Sequence, residues 1–366
     1  MAAQSAAIFF WVLKWDNLKL KVVQSPALKP SNIFEHWREA PMLKNIAVLV
    51  KTAIKRMPKK VFITGASGCV GHYLIEMLLE KTDYELYLLV RDCRKLQINL
   101  SDRPNVHIIE DSMQNIGNYG ELLKTMEFVV STAAGWGGDE AFVVNRDKTI
   151  ELFSSLDPNV CERAIYFSTA SILDSHNQII PEAGKFGTAY IASKHACLET
   201  LENSIIRDRL ITVFPTLVFG GADDKPYSHL SRGLKDILKY VPYARFLKTD
   251  GSFHFIHAID ISQIVTHLLT TPTLPKSPAR LVLGMARLTA QDLIAQFCEH
   301  LNLKVRWQLE ITPFILDTVI KLFRIEVAEW DRFCIAQRHF TYDVVSPETF
   351  GLISKYPRLA NLLNEV

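Results

Sequence analysis

From Lys59 onward, short runs of consecutive apolar residues alternate with stretches of helical periodicity. Val61–Thr64 (VFIT), Glu85–Val90 (ELYLLV), Val106–Ile109 (VHII), Phe128–Ser131 (FVVS), Ala164–Ser168 (AIYFS) and Leu210–Phe214 (LITVF) predict strands. Helices are predicted between them, over roughly 70–80, 120–126, 140–156 and 190–205. Apolar strands without polar alternation belong to a parallel sheet covered on both faces. The pattern predicts an α/β fold with a doubly wound, Rossmann-type parallel sheet. Beyond Gly220 the rhythm breaks, with prolines, aromatics and longer helices in about 221–255 and 285–345. The organisation expected is an N-terminal extension (1–56), a dinucleotide-binding domain (57–220), and a mixed region (221–366). That last region would complete the sheet and form a smaller C-terminal substrate lobe over the carboxyl ends of the strands.

Two further segments carry expectations. Met57 sits just before the first strand, and the favoured reading places the natural start there. The alternative is a true extension, with 42–57 (MLKNIAVLVKTAIKRM) a basic amphipathic helix that touches a membrane surface. Residues 311–324 (ITPFILDTVIKLFR) predict a helix with little polar face, read as a lid packed on the core; the sharper reading is a hydrophobic pocket or a membrane-surface contact.

Composition narrows this little. Of 366 residues, 48% are hydrophobic and 22% charged, an ordinary globular balance. A net charge of +2 gives no electrostatic case for nucleic acid. No run reaches the roughly 18–20 apolar residues of a membrane span; Ala6–Leu13 stops at Lys14. The six cysteines are scattered, without Cys-x-x-Cys pairs or zinc spacing, so no metal site is expected and the reading is of reduced thiols in a cytoplasm.

The first candidate chemistry follows the VFIT strand. Gly65-Ala66-Ser67-Gly68-Cys69-Val70-Gly71 has the spacing G-x-x-G-x-x-G and opens a helix. Glycines allow the tight turn, the approach of a pyrophosphate and close packing of helix on strand. The helix N-terminus then offers N–H groups to phosphate. Downstream, Tyr190-Ile191-Ala192-Ser193-Lys194 opens another helix, after a strand end reading Phe167-Ser168-Thr169-Ala170-Ser171. A tyrosine with a pKa near 10 is a poor acid–base group at neutral pH. A lysine one turn along can lower it, and a threonine hydroxyl can bond the substrate oxygen.

These pieces, in this order, resemble the extended short-chain dehydrogenase/reductase superfamily, also called the NAD-dependent epimerase/dehydratase family. The resemblance runs over about 59–351. It also includes Leu88-Leu89-Val90-Arg91, Asp111, Ser131-Thr132-Ala133-Ala134, Val144-Asn145, Phe214 to Gly220, and Phe255-Ile256-His257-Ala258-Ile259-Asp260. It implies Tyr190 as acid–base, Lys194 as its electrostatic partner and ribose ligand, and Thr169 as the catalytic hydroxyl, with Ser168 part of the strand. It implies cofactor contacts from Gly65, Ser67, Gly68, Cys69, Val70 and Gly71, and from Arg91, Asp111, Ala133 and Ala134. Pro215, Thr216, Leu217 and Val218 would line the nicotinamide. His257 and Asp260 would hold the lobes together. A homodimer through paired helices is common in the family, and the helix after Tyr190 is a candidate for it.

The departures bear on substrate. Nucleotide-sugar members commonly carry Arg-Asp just before the Phe-Ile-His strand and an arginine before the proline of the Pro-x-x-Val segment; here stand Phe253, His254 and Phe214. The stretch Phe214-Pro215-Thr216-Leu217-Val218 looks more like dihydroflavonol-reductase and hydroxysteroid-dehydrogenase relatives, although Arg232 or Arg245 could replace the missing cations. The expected function is NAD(P)-dependent reduction of a carbonyl, or oxidation of an alcohol, on a small apolar molecule. The rival is a nucleotide-sugar epimerase or dehydratase that uses retained NAD+. A non-catalytic NAD(P)-binding protein is a third reading. For the cofactor, Arg91 with Arg94 and Lys95 favours NADP(H) by meeting a 2′-phosphate, and Asp92 argues for NAD(H).

Overall fold

The computed structural model describes residues 58–100, 103–272, 278–305, 307–312, 314–315, 318, 322 and 326–363. The expectations for 1–57 fall outside these residues, as do most positions of the expected 311–324 helix. Every element below lies in the unit Lys59–Val366.

Strands β1 (Lys60–Thr64), β2 (Glu85–Val90), β3 (Val106–Glu110), β4 (Phe128–Ser131), β5 (Arg163–Phe167) and β6 (Leu210–Pro215) form where the apolar runs predict them. Two short strands follow outside the main sheet, β7 (Leu217–Phe219) and β8 (Phe255–His257), parallel to each other. A seventh sheet strand, β9 (Ala279–Leu283), comes from the mixed region expected to complete the sheet, at a run between its two irregular stretches that no apolar pattern singled out. The sheet order is β9-β6-β5-β4-β1-β2-β3, parallel throughout. The order reverses between β1 and β4, and the crevice at such a switch point is where these sheets bind ligands.

Alternate residues of each strand point to opposite faces. Val61, Ile63, Phe128, Val130 and Ile165 join Leu74, Ile75 and Leu78 of α1 (Cys69–Lys81) on one side. Phe62, Val129, Ala164 and Tyr166 pack on the other, with Leu152, Phe153, Leu198 and Leu201. Those four come from α2 and α3. Helix α2 is the continuous run of Gly138–Phe142, the π-helical Val143–Lys148 and Thr149–Ser154. Helix α3 is Ala189–Glu202. Each such buried side chain contributes about 1.5–3 kcal/mol relative to its exposed state, which is why both faces must be covered.

Beyond the sheet lie α4 (His229–Ala244), α5 (Ala258–Thr270), α6 (Ala290–His300) and α7 (Glu329–Gln337). His257 caps α5, its Nδ1 accepting from the Ile259 N–H at 3.1 Å. It packs between Tyr73 of α1 and Tyr356, and burial pushes its pKa down to about 3. Asp260 is fully buried and accepts the N–H groups of Lys355 (2.8 Å) and Tyr356 (3.2 Å). Two local expectations shift. Between β3 and β4 the helix proper is Gly120–Leu123, preceded by a 3-10 turn over Met113–Tyr119 that Ser112 caps. β5 ends at Phe167, although the Ser168 N–H still reaches the Val213 carbonyl of β6 at 2.8 Å.

Candidate active site

The glycine loop joins β1 to α1, and its three glycines answer to different demands. Gly65 has φ +72°, and a Cβ there would stand 2.6 Å from the Ala133 nitrogen. A Cβ at Gly71 would stand 2.4 Å from the Gly65 carbonyl oxygen. Both glycines are required by the fold itself. At Gly68 a Cβ would meet just the Gly65 carbonyl, at 3.1 Å. Gly68 is the N-cap of α1, and no side chain caps that helix. Its first-turn N–H groups have no intrahelical partner, so the loop is a cradle for phosphate.

The cradle opens on a cleft of about 710 Å³ above the switch point. Gly65, Ser67, Gly68, Cys69, Val70 and Gly71 line its floor, beside Ala133 and Ala134 at the end of β4. Thr169, Tyr190 and Lys194 line it beyond β5, with Pro215, Thr216, Leu217 and Val218 beyond β6. Arg91 and Asp111 line the far end. Every residue the sequence singled out for catalysis or cofactor contact therefore borders one cavity. The residues fit a dinucleotide: an uncapped helix N-terminus for its phosphates, cations at one end and an acid–base cluster at the other. Burial also raises the Cys69 thiol to about 12, so this cleft cysteine stays protonated.

At the inner end, α3 starts at Ala189 with Thr188 capping the Ile191 N–H, which sets Tyr190 and Lys194 one turn apart. Burial raises the Tyr190 phenol to about 12, against a smaller lowering by the Thr169 hydroxyl, which itself bonds Ser171 Oγ at 3.3 Å. Lys194 is 2% exposed and donates to the Phe167 carbonyl at 2.7 Å; burial lowers it to about 8. The lowering of Tyr190 by Lys194 expected from their spacing is thus absent from this arrangement. Desolvation dominates both groups, and the lysine is turned to a main-chain oxygen.

Asn145, in the π-helical turn of α2, is fully buried. Its Oδ1 accepts the Gly135 N–H at 2.8 Å, and its Nδ2 donates to the Gly135 carbonyl (2.9 Å) and to Ser193 Oγ (3.0 Å). One side chain ties the loop after β4 to α3. On that loop stands Trp136, which the sequence reading passed over. Its indole stacks on the Tyr190 ring with centroids 4.5 Å apart. The available signal was a lone tryptophan among glycines, Gly135-Trp136-Gly137-Gly138, directly after Ala133-Ala134.

At the outer end, Arg91 and Lys95 line the cleft and Arg94 does not. Arg94 forks onto Asp92 at 2.9 and 3.1 Å, and that pairing holds the Asp92 carboxyl low. Asp92 also caps the turn by accepting the Arg94 N–H, so it is not presented to the cavity. Arg91 reaches Glu140 at 3.3 Å. Asp111 accepts from Tyr119 (2.7 Å), Asn115 (2.7 Å) and the Ser112 N–H (2.6 Å), and these bonds keep its carboxyl below the usual range. Ligand atoms of Asp92, Cys93 and Glu110 lie within 4.8 Å of one another, but these residues are exposed or half-buried and bonded locally.

Two departures have structural roles. Phe214 is fully buried in the core. His254 is buried between the Met285 carbonyl (2.7 Å from Nδ1) and the Tyr342 N–H (3.3 Å from Nε2). Of the two arginines that could replace the missing cations, Arg232 lines the cleft, while Arg245 donates to the Lys304 carbonyl at 3.2 Å.

The family model "NAD dependent epimerase/dehydratase family" matches residues 61–284. None of the curated proteins matches the chain. Among solved structures, gox2253 superposes with TM-score 0.61 at 19% identity, covering 84% of this chain and 96% of that one. The Bordetella bronchiseptica enzyme WbmG in complex with NAD gives 0.59 at 15%, over 85% and 93%. UDP-glucuronic acid 4-epimerase from Bacillus cereus, in complex with UDP-glucuronic acid and NAD, gives 0.56 at 17%, over 84% and 97%. At these identities the structural likeness concerns the fold.

Proposed function

The chain belongs to the NAD dependent epimerase/dehydratase family, and from that premise we propose that it is a nicotinamide-dependent enzyme acting at a carbon that bears a hydroxyl or carbonyl. The observation that carries this reading is the meeting of Thr169, Tyr190 and Lys194 with the glycine cradle around one cleft. The dinucleotide, when bound, supplies the hydride donor or acceptor. The glycine loop and the α1 N-terminus would hold its phosphates, and Lys194 its ribose. Tyr190 gives a proton to the substrate oxygen or takes one from it. At about 12 the phenol is protonated at neutral pH but a weaker acid than free tyrosine, so its donation needs a positive charge that stabilises the phenolate. The Thr169 hydroxyl positions that phenol and bonds the same oxygen.

Net oxidation or reduction of a small molecule with an apolar face is supported by the apolar Phe214 and the buried His254 where cations would stand. A second reading, nucleotide-sugar epimerisation or dehydration with retained NAD+, is supported by Arg232 in the cleft and by what the solved neighbours carry. For the cofactor, Arg91 and Lys95 at the rim, with Asp92 engaged elsewhere, support NADP(H). The family description and the NAD of the neighbours support NAD(H). Six free cysteines support work in the cytoplasm. No helix among the described residues is long and apolar enough to cross a membrane. A homodimer packing through α3 completes the proposal.

The test is Tyr190→Phe. It removes the proton and keeps the ring, so dinucleotide affinity should hold while kcat falls by about a hundredfold or more. Unchanged turnover would sink the assignment. Dinucleotide that stays bound through purification, without net turnover of added cofactor, would favour the second reading.

A further inference from the structure

Nothing in the proton-transfer chemistry requires Trp136. Its indole lies nearly parallel to the Tyr190 ring, at 10°, and meets His229 edge-on with centroids 4.3 Å apart. Even so, 56% of its surface is exposed. Leu217 and Tyr227 border the same cleft and are 40% and 41% exposed. The cleft thus carries three uncovered apolar side chains, of which Trp136 lies against Tyr190. Arg232 stands next to them, its Nε donating to the Tyr227 carbonyl at 3.3 Å.

The backbone around Trp136 is asymmetric. Gly135 is pinned by Asn145, and a Cβ there would come 2.9 Å from the Glu140 carbonyl oxygen. Gly137 and Gly138 have open space where a Cβ would stand, and Gly138 has φ +57°. The indole is therefore anchored on one side and joined to a glycine pair on the other. On the glycine side no Cβ stands in the way of its turning from Tyr190. Aromatic faces carry negative potential and attract the positive edges and C–H bonds of another ring.

We propose that Trp136 is the specificity-determining residue of the cleft: its indole face receives the apolar face of a ring whose own carbon carries the reacting oxygen, and so lays that carbon against Tyr190. This rests on Tyr190 as the acid–base group. A saturated carbocycle and the hexose of a nucleotide sugar both offer such a face. They differ in the diphosphate that Arg232 would meet. An open-chain ketone offers no flat face and must also lose rotor freedom.

The decisive measurement titrates the intrinsic tryptophan emission of the full chain with 2-decalone and, separately, with UDP-glucose. Wild type should show saturable quenching by one of them, and the responding ligand identifies the source of the ring. In Trp136→Phe, which keeps a stacking ring but loses the fluorophore, at least half of that quenching should vanish. Equal quenching in both proteins, or none with either ligand, overturns the proposal. In parallel, Trp136→Leu should lower kcat/KM for the ring substrate relative to 2-octanone by about tenfold, with Trp136→Phe restoring much of it. An unmoved ratio also overturns it. Tyr190→Phe keeps the two readings apart: turnover retained there sinks the acid–base assignment, while the quenching result still decides Trp136.

Discussion

At the inner end of the cleft Lys194 is 2% exposed and Asn145 and Ser193 not at all, whereas at the outer end Arg91 keeps 73% of its side-chain surface and Arg94 87%. Both ends are built from charged and polar groups, but their energetics differ. In the dry interior an unmet hydrogen bond costs about 1–3 kcal/mol, so each inner group is held by specific partners. At the rim, water and salt screen the charges, and an exposed ion pair such as Arg91–Glu140 contributes about 0–1 kcal/mol. Substitutions at the inner end and its supporting packing should therefore act on folding or catalysis as a whole. Substitutions at the rim should retune ligand preference and leave the fold intact.

The strongest challenge to that contrast uses pH. His257 packs behind the glycine loop, and burial sets its folded pKa near 3, below an ordinary 6.5. A depressed histidine contributes stability above about pH 6.5 that is lost as pH falls toward 3. The size is on the order of 4 kcal/mol. Asp260 runs the other way: its folded pKa is raised to about 6, so its contribution is present below about 3.8 and is lost as pH rises through 6. The histidine has the larger shift. From pH 7 to 4 the loss at His257 is about 3 kcal/mol and the gain at Asp260 nearly as large, so urea unfolding of wild type should show a small net decline, while His257→Asn, which can still accept the Ile259 N–H, should grow more stable as pH falls. Parallel profiles would mean the buried junction does not control acid stability.

A smaller effect separates two glycines of one loop. Gly71→Ala drives a Cβ into the Gly65 and Ala66 backbone and should cost about 3 kcal/mol in denaturant unfolding. Gly68→Ala should cost under about 1 kcal/mol and weaken dinucleotide binding in calorimetry, because it encroaches on the cradle rather than on the core. Equal stability losses would erase the distinction between a packing glycine and a ligand glycine.

The smallest effect belongs to the rim. Arg91→Ala should leave thermal stability unchanged and lower the kcat/KM ratio for NADPH over NADH by roughly tenfold, one charge-assisted contact in partly screened surroundings. A wild type that prefers NADH, or a ratio that stays put, would refute the NADP(H) reading.

The sequence by itself determined the features governed by local rules. Consecutive apolar runs require buried parallel strands, so β1 to β6 were legible almost to the residue. The G-x-x-G-x-x-G turn and the one-turn spacing of Tyr190 and Lys194 could be read because backbone conformation and helix pitch act over a few positions. What the tertiary structure decided are encounters between distant residues and the directions of exposed side chains. β9 follows a segment of broken periodicity and finds its place by pairing with β6. Asp92 turns to Arg94 instead of the cavity, a rotamer choice that no spacing encodes. Lys194 meets the Phe167 carbonyl rather than the phenol it follows in sequence. Trp136 lies over Tyr190 because Asn145 fixes the loop between them from a third element. Periodicity carries no information about such meetings, since each depends on packing that exists only once the sheet has brought the elements together.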